Sequence, residues 1–153
     1  MVDSVPHTLT KFGGMIKIMP FLFVLTSFQL WAQSHVNWKL EFDEDCKVLV
    51  LSASIDEGWH IYSQHQNEKA GPIPTDISVE MIGSQLHEAA EPQPIKSFDE
   101  NYGGEVLYFE DNVDFRFAIP VEYEGVINVK VVFMTCNEEG CLPPELKEFK
   151  ISI

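Results

Sequence analysis

The sequence predicts an all-β chain, an antiparallel sandwich of short strands. Three observations carry this: apolar and polar residues alternate through most of residues 36–153, turn-forming clusters interrupt the alternation at short intervals, and helical periodicity is almost absent. A period of two is that of a strand, whose successive side chains point to opposite sides. Val36, Trp38, Leu40 and Phe42 alternate with Asn37, Lys39 and Glu41. Leu49, Leu51, Ala53 and Ile55 share one face of the next run, with Ser52 and Ser54 on the other. Ile77, Val79 and Met81 alternate with Ser78 and Glu80. The cleanest run sets Val113, Phe115, Phe117 and Ile119 against Asp114, Arg116 and Ala118. Ile127, Val129, Val131 and Phe133 follow, and Phe149, Ile151 and Ile153 close the chain.

The separators have turn chemistry: residues 43–45, 56–58, 71–74, 92–94, 111–112 and 124–125 are built from Asp, Asn, Glu, Gly and Pro with few exceptions. About seven short strands divided in this way point to a sandwich of immunoglobulin-like size and pattern. No internal repeat or low-complexity tract is present, and a single domain over residues 33–153 is expected. The longest stretches read as irregular are 64–74 and 89–104. A rigid sandwich displays its chemistry on loops, so both are candidate functional segments.

Residues 1–32 read as a signal peptide rather than as part of the fold. Lys11 and Lys17 provide the positive start, and the uncharged run 18–31 is shorter than the roughly 20 residues a membrane-spanning helix needs. Cleavage is placed after Ala32, and Met15 or Met19 would serve equally well as a start. An uncleaved anchor is the alternative. The reading places the domain in the periplasm, with no stable membrane insertion after cleavage.

The chain is acidic, with a formal net charge of −14 over its 153 residues. Removing residues 1–32 takes away Lys11, Lys17 and Asp3 and leaves the remainder more negative still. Such a surface repels nucleic acid and anionic lipid, so proteins or small molecules are the expected partners.

Export gives the three cysteines their meaning, because an oxidising compartment favours disulfides. Cys136 and Cys141 are close in sequence, whereas Cys46 lies far away in an acidic turn beside Asp43, Glu44 and Asp45. A strand runs into Cys136, turn-prone residues follow, and Cys141 precedes Pro143 and Pro144. Gly140 can supply a positive φ, and the prolines prevent regular pairing directly after Cys141. The two sulfurs can therefore meet across a hairpin end, with Cys141 near the surface and Cys136 buried beside Val132, Phe133 and Met134. Glu138 and Glu139 set negative charge beside the thiols, which disfavours the thiolate. Such a pair is a poor attacker when reduced and remains open to attack when oxidised. A structural staple is the alternative, although the chain-entropy model gives only about 2 kcal/mol for closing so small a ring. A metal site completed by His60, His65 or His87 is a third reading, but no Cys/His spacing here matches a standard zinc motif.

Three segments together resemble the N-terminal periplasmic domain of the thiol:disulfide interchange protein DsbD. Residues 58–64 (Gly-Trp-His-Ile-Tyr-Ser-Gln) resemble its glycine-aromatic-x-x-Tyr segment, residues 99–103 (Asp-Glu-Asn-Tyr-Gly) its cap loop, and residues 136–145 its redox hairpin ending in Cys-x-Pro-Pro-Glu. Order and spacing fit as well, over nearly all of residues 36–152. The resemblance implies an immunoglobulin-like fold and a Cys136/Cys141 pair that cycles between disulfide and dithiol, with Cys141 forming the mixed disulfides. It implies a cap of Asp99, Glu100, Asn101, Tyr102 and Gly103, with Tyr62 and Tyr102 walling the site. Electrons would arrive from a thioredoxin-like donor protein and leave toward a periplasmic disulfide isomerase or cytochrome c maturation proteins. No cofactor and no metal are expected.

Two departures from the family pattern stand out. The segment between the cysteines is one residue shorter, and Asn101 stands where the family cap carries a bulky aromatic. Full-length members continue into membrane and thioredoxin domains, so a separate membrane electron transporter is a further expected donor. The principal rival is a secreted immunoglobulin-like binding module with an inert disulfide.

Overall fold

The computed structural model describes residues 34–67, 69, 71–100 and 102–153. The signal-peptide reading of 1–32 and the cap residue Asn101 lie outside the described residues. Residues Gln33–Ile153 form one compact unit.

Twelve strands are found among the described residues: β1 (Val36–Asp43), β2 (Val48–Ile55), β3 (His60–Tyr62), β4 (Asp76–Met81), β5 (Ser84–Leu86), β6 (Ile95–Asp99), β7 (Gly104–Phe109), β8 (Asn112–Ala118), β9 (Val126–Phe133), β10 (Thr135–Asn137), β11 (Gly140–Cys141) and β12 (Glu145–Ser152). Every pairing between them is antiparallel. They form sheets of order β1-β2-β8, β12-β9-β4-β5 and β11-β10-β3-β7-β6.

The alternation read from the sequence sets the inward face of the first two sheets. Val36 and Trp38 of β1, Leu49, Leu51, Ala53 and Ile55 of β2, and Val113, Phe115 and Phe117 of β8 are buried in one core with Ile77 and Val79 of β4 and Ile127, Val129, Val131 and Phe133 of β9. Trp38 packs on Phe115 and Phe133, with ring centroids 6.0 and 5.1 Å apart. Aromatic pairs at such separations add to the area they remove from water. The β1–β2 turn carries a strained residue, Lys47 at φ 54°, and Asp43 Oδ1 accepts the Cys46 N–H at 2.9 Å. Cys46 is exposed and unbonded.

The third sheet positions the chemistry. The chain leaves β9 at Phe133, passes Met134, and enters β10 in a different sheet, the corner by which a strand serves two layers. Its central strand β3 sends Ile61 into the main core, while Tyr62 joins Val106 and Cys136 in a second, smaller cluster. Residues 89–104, read from the sequence as irregular, instead contain β6 paired along β7 from Ile95↔Tyr108 to Asp99↔Gly104. The described residues of 64–74 contain no strand.

Candidate redox site

The site begins with the hairpin β10–β11. Cys136 pairs directly with Cys141 and Asn137 with Gly140. The Leu142 N–H donates to the Thr135 carbonyl at 2.9 Å, which makes that neighbouring pair the hydrogen-bonded one. Cys136 and Cys141 are then a non-hydrogen-bonded pair, the kind in which opposed α-carbons come closest. Their α-carbons are 4.0 Å apart, and the two sulfurs are joined in a disulfide.

The turn sequence explains the register. Asn137 Oδ1 accepts the N–H groups of Glu139 at 2.9 Å and Gly140 at 3.0 Å, a side chain standing in for a backbone acceptor. Gly140 has φ 152°, a conformation in which a side chain is costly. After Leu142 the two prolines leave the pairing, and the strand resumes as β12 at Glu145 opposite Phe133.

The two sulfurs have unlike surroundings. Cys136 is 1% exposed, in a cluster with Tyr62 and Val106, against which Tyr108 and Met134 pack. Cys141 is exposed. The Tyr102 hydroxyl lies 3.5 Å from Cys141 Sγ; with the sulfur oxidised, the hydroxyl is the donor. Tyr102 follows Asp99, whose Oδ1 accepts the Tyr102 N–H at 3.3 Å and whose carbonyl accepts the Gly103 N–H at 2.8 Å. These bonds, with Gly103 at φ 66°, fix the turn between β6 and β7.

Tyr62 is fully buried, and its hydroxyl shares a 3.1 Å hydrogen bond with His60 Nε2. The His60 ring tilts against Tyr108, centroids 4.9 Å apart. Burial drives the Tyr62 pKa well above the ordinary phenol range, reinforced by Tyr102, Asp99 and Tyr108, so its hydroxyl keeps its proton. Burial lowers the His60 pKa, against the opposing pull of Asp99, so the imidazole is neutral at pH 7. Burial and Glu110 raise Tyr108. Beside the disulfide hairpin opens a groove of about 620 Å³, whose lining includes Phe98, Asp99, Glu100, Glu110, Glu138 and Glu139 together with His60. Among the described residues, no lysine or arginine lines it.

Of the residues singled out in the sequence, the structure brings together Cys136, Cys141, Tyr62 and Tyr102 in one cluster of contacts. Asp99, at the end of β6, and Glu100 line the adjacent groove; Gly103 shapes the turn. Sequence reasoning offered His60 only as a ligand in the metal reading and gave it no part in a redox site, yet its ring is hydrogen-bonded to Tyr62. It also missed Val106 and Tyr108, since the alternation that marks β7 begins inside a segment read as irregular. Trp59 packs against the main core and stacks on His35 at 3.9 Å. His65 and His87 border a separate groove with Gln64 and Asp76. Among the described residues, no three His, Cys, Asp or Glu side chains are arranged to hold a metal ion.

The chemistry open to this arrangement is exchange. A strand-to-strand disulfide between one exposed and one buried cysteine can exchange with an incoming thiolate.

Comparison with known proteins agrees. No curated protein matches the chain in sequence. The solved structure of the Neisseria meningitidis DsbD N-terminal domain in the reduced form superposes with a TM-score of 0.55 at 18% identity, over 78% of this chain and 86% of that one. The complex between the DsbD N-terminal and PilB N-terminal domains of the same organism gives a TM-score of 0.58 at 16% identity, over 81% and 88%. The likeness shows an immunoglobulin-like fold. The family model for the thiol:disulfide interchange protein DsbD, N-terminal, matches residues 28–153, and the chain belongs to that family, a thiol–disulfide exchange domain with its disulfide at Cys136–Cys141.

Proposed function

We propose that this domain works in the periplasm as an electron relay, in which Cys141 is the sulfur that exchanges with partner proteins and Cys136 the sulfur that resolves. A thiolate of a thioredoxin-like donor attacks Cys141 Sγ, and Cys136 leaves as a thiolate. The donor's second thiolate then attacks its own bonded sulfur and releases Cys141. Donor dithiol has become disulfide, and Cys136/Cys141 has become dithiol, with two electrons transferred. The reverse sequence passes them on: Cys141 attacks the disulfide of an isomerase or a cytochrome c maturation protein, and Cys136 displaces the product.

The observation that carries this reading is the asymmetry of one disulfide, an exposed Cys141 bonded to a Cys136 that is 1% exposed. An attacking sulfur must reach its target along the S–S axis, and of the two cysteines Cys141 is the exposed one. The neisserial DsbD N-terminal domain forms a complex with the PilB N-terminal domain, which supports a protein partner here too. Tyr102, with Asp99, Glu100, Asn101 and Gly103, forms the cap, and Tyr62 is the inner wall. Residues 1–32 serve as the signal peptide that delivers domain 33–153 to that compartment.

Trapping tests the roles. Cys136→Ala accumulates a covalent complex with a thioredoxin-like partner on non-reducing gels, and Cys141→Ala accumulates none. Equal trapping by the two variants would contradict the assignment.

A further inference from the structure

Tyr102 touches more than Cys141. Its ring occupies the space that a side chain on Gly71 would need: a β-carbon built on Gly71 collides with Cγ, Cδ1 and Cε1 of Tyr102. Gly71 also has φ 112°, a backbone state that L side chains rarely adopt. The cap residue therefore rests on bare backbone of the 63–75 segment, remote in sequence from both the cap and the disulfide.

The two ends of that segment are held by hydrogen bonds that do not involve Tyr102. At its start, Ser63 Oγ donates to Glu91 Oε1, and Glu91 Oε2 accepts the Gln64 N–H at 3.1 Å. The Glu91 side chain is only 4% exposed. The Ser63 N–H donates to the Leu107 carbonyl at 2.9 Å, and Gln66 Oε1 accepts the Leu107 N–H at 2.6 Å. At its end, Thr75 Oγ1 donates to the Tyr62 carbonyl at 2.6 Å. Gln66 and Thr75 are both buried. Buried hydrogen bonds of this kind are costly to break, so the ends of the segment are fixed on β3 and β7.

We propose that Gly71 is a positioning residue for the exchange reaction: it seats the Tyr102 ring so that the hydroxyl meets Cys141 Sγ, and the anchored 63–75 segment thereby sets how far the site is closed. Gly71 touches no reacting atom and acts through Tyr102. This rests on the reading of Tyr102 as a shield over Cys141. A larger residue at position 71 pushes the ring away and uncovers the sulfur.

The test is a double-mutant cycle on the oxidised domain, reading the rate at which dithiothreitol reduces Cys136–Cys141, with far-ultraviolet circular dichroism and the thermal midpoint as folding controls. Tyr102→Ala raises the rate several-fold. Gly71→Ala raises it to a similar level, and adding Gly71→Ala to Tyr102→Ala raises it no further. A backbone effect of position 71 unrelated to the ring gives the same change in both backgrounds and overturns the proposal. A Gly71→Ala rate equal to the parent's, with Tyr102→Ala fast, overturns the seat and spares the shield. An unchanged rate in Tyr102→Ala overturns both. If Gly71→Ala does not fold alone, folding restored by Tyr102→Ala supports the steric seat, and failure in both backgrounds overturns it.

Discussion

Cys136 and Cys141 share one bond, and the residues around them divide the work. Tyr62 keeps its proton because burial disfavours the phenolate, and it can therefore remain hydrogen-bonded to His60 across the neutral range. His60 introduces a pH dependence of its own. Its pKa in the folded chain lies below the ordinary value of about 6.5, so between those two values the unfolded chain binds the proton more readily. The stability associated with neutral His60 is complete above about pH 6.5 and is lost as pH falls from there toward the folded value. Denaturant unfolding of the parent at pH 7.5 and 5.5 accordingly shows a drop in stability that is smaller in His60→Gln. An equal drop in both proteins would contradict the buried, neutral histidine. The Cys136–Cys141 pairing was legible in the sequence because strand, turn glycine and prolines are contiguous there. His60 was not, since its partner Tyr62 sits two residues along a strand too short to show alternation.

At the scale of elements, the long alternating strands β1, β2, β8 and β9 follow the sequence pattern closely, and β6 does not. Ile95, Lys96, Ser97 and Phe98 are all exposed, so β6 buries neither face and leaves no alternation to read. Pro92 and Pro94 just before it gave a turn signal instead. Its place is decided by five residue pairs with β7, which are invisible in one sequence. The β6–β7 connection carries Tyr102 to Cys141. Shortening residues 98–104 removes that cover without touching either sulfur or the β10–β11 hairpin. The expected result is faster reduction by small thiols, followed by loss of the disulfide under dithiothreitol. An unchanged rate would show that the connection does not cap the site. The contact between Gly71 and Tyr102 was equally beyond the sequence, since it joins two irregular segments whose approach only the fold determines.

The described domain is a sandwich whose main core is built without the disulfide, since Cys136 belongs to the second, smaller cluster. Phe115 is fully buried between Trp38 and Phe109, so Phe115→Ala should cost about 3–5 kcal/mol, measured by equilibrium unfolding. A cost below about 1 kcal/mol would mean that the core is not packed as described. Closing the small Cys136–Cys141 ring, by contrast, is worth only about 2 kcal/mol in the chain-entropy model. The fold can therefore survive with both cysteines reduced, as an electron relay requires.

The reduction potential of the Cys136/Cys141 pair tests that central claim most directly. The oxidised domain is equilibrated in glutathione or dithiothreitol buffers, quenched with a thiol-alkylating reagent, and the reduced fraction is measured. A working exchange pair titrates between roughly −180 and −270 mV, within reach of donor and acceptor proteins. A disulfide still intact in buffers poised near −270 mV, with a midpoint below about −300 mV, is a structural staple and would contradict the relay.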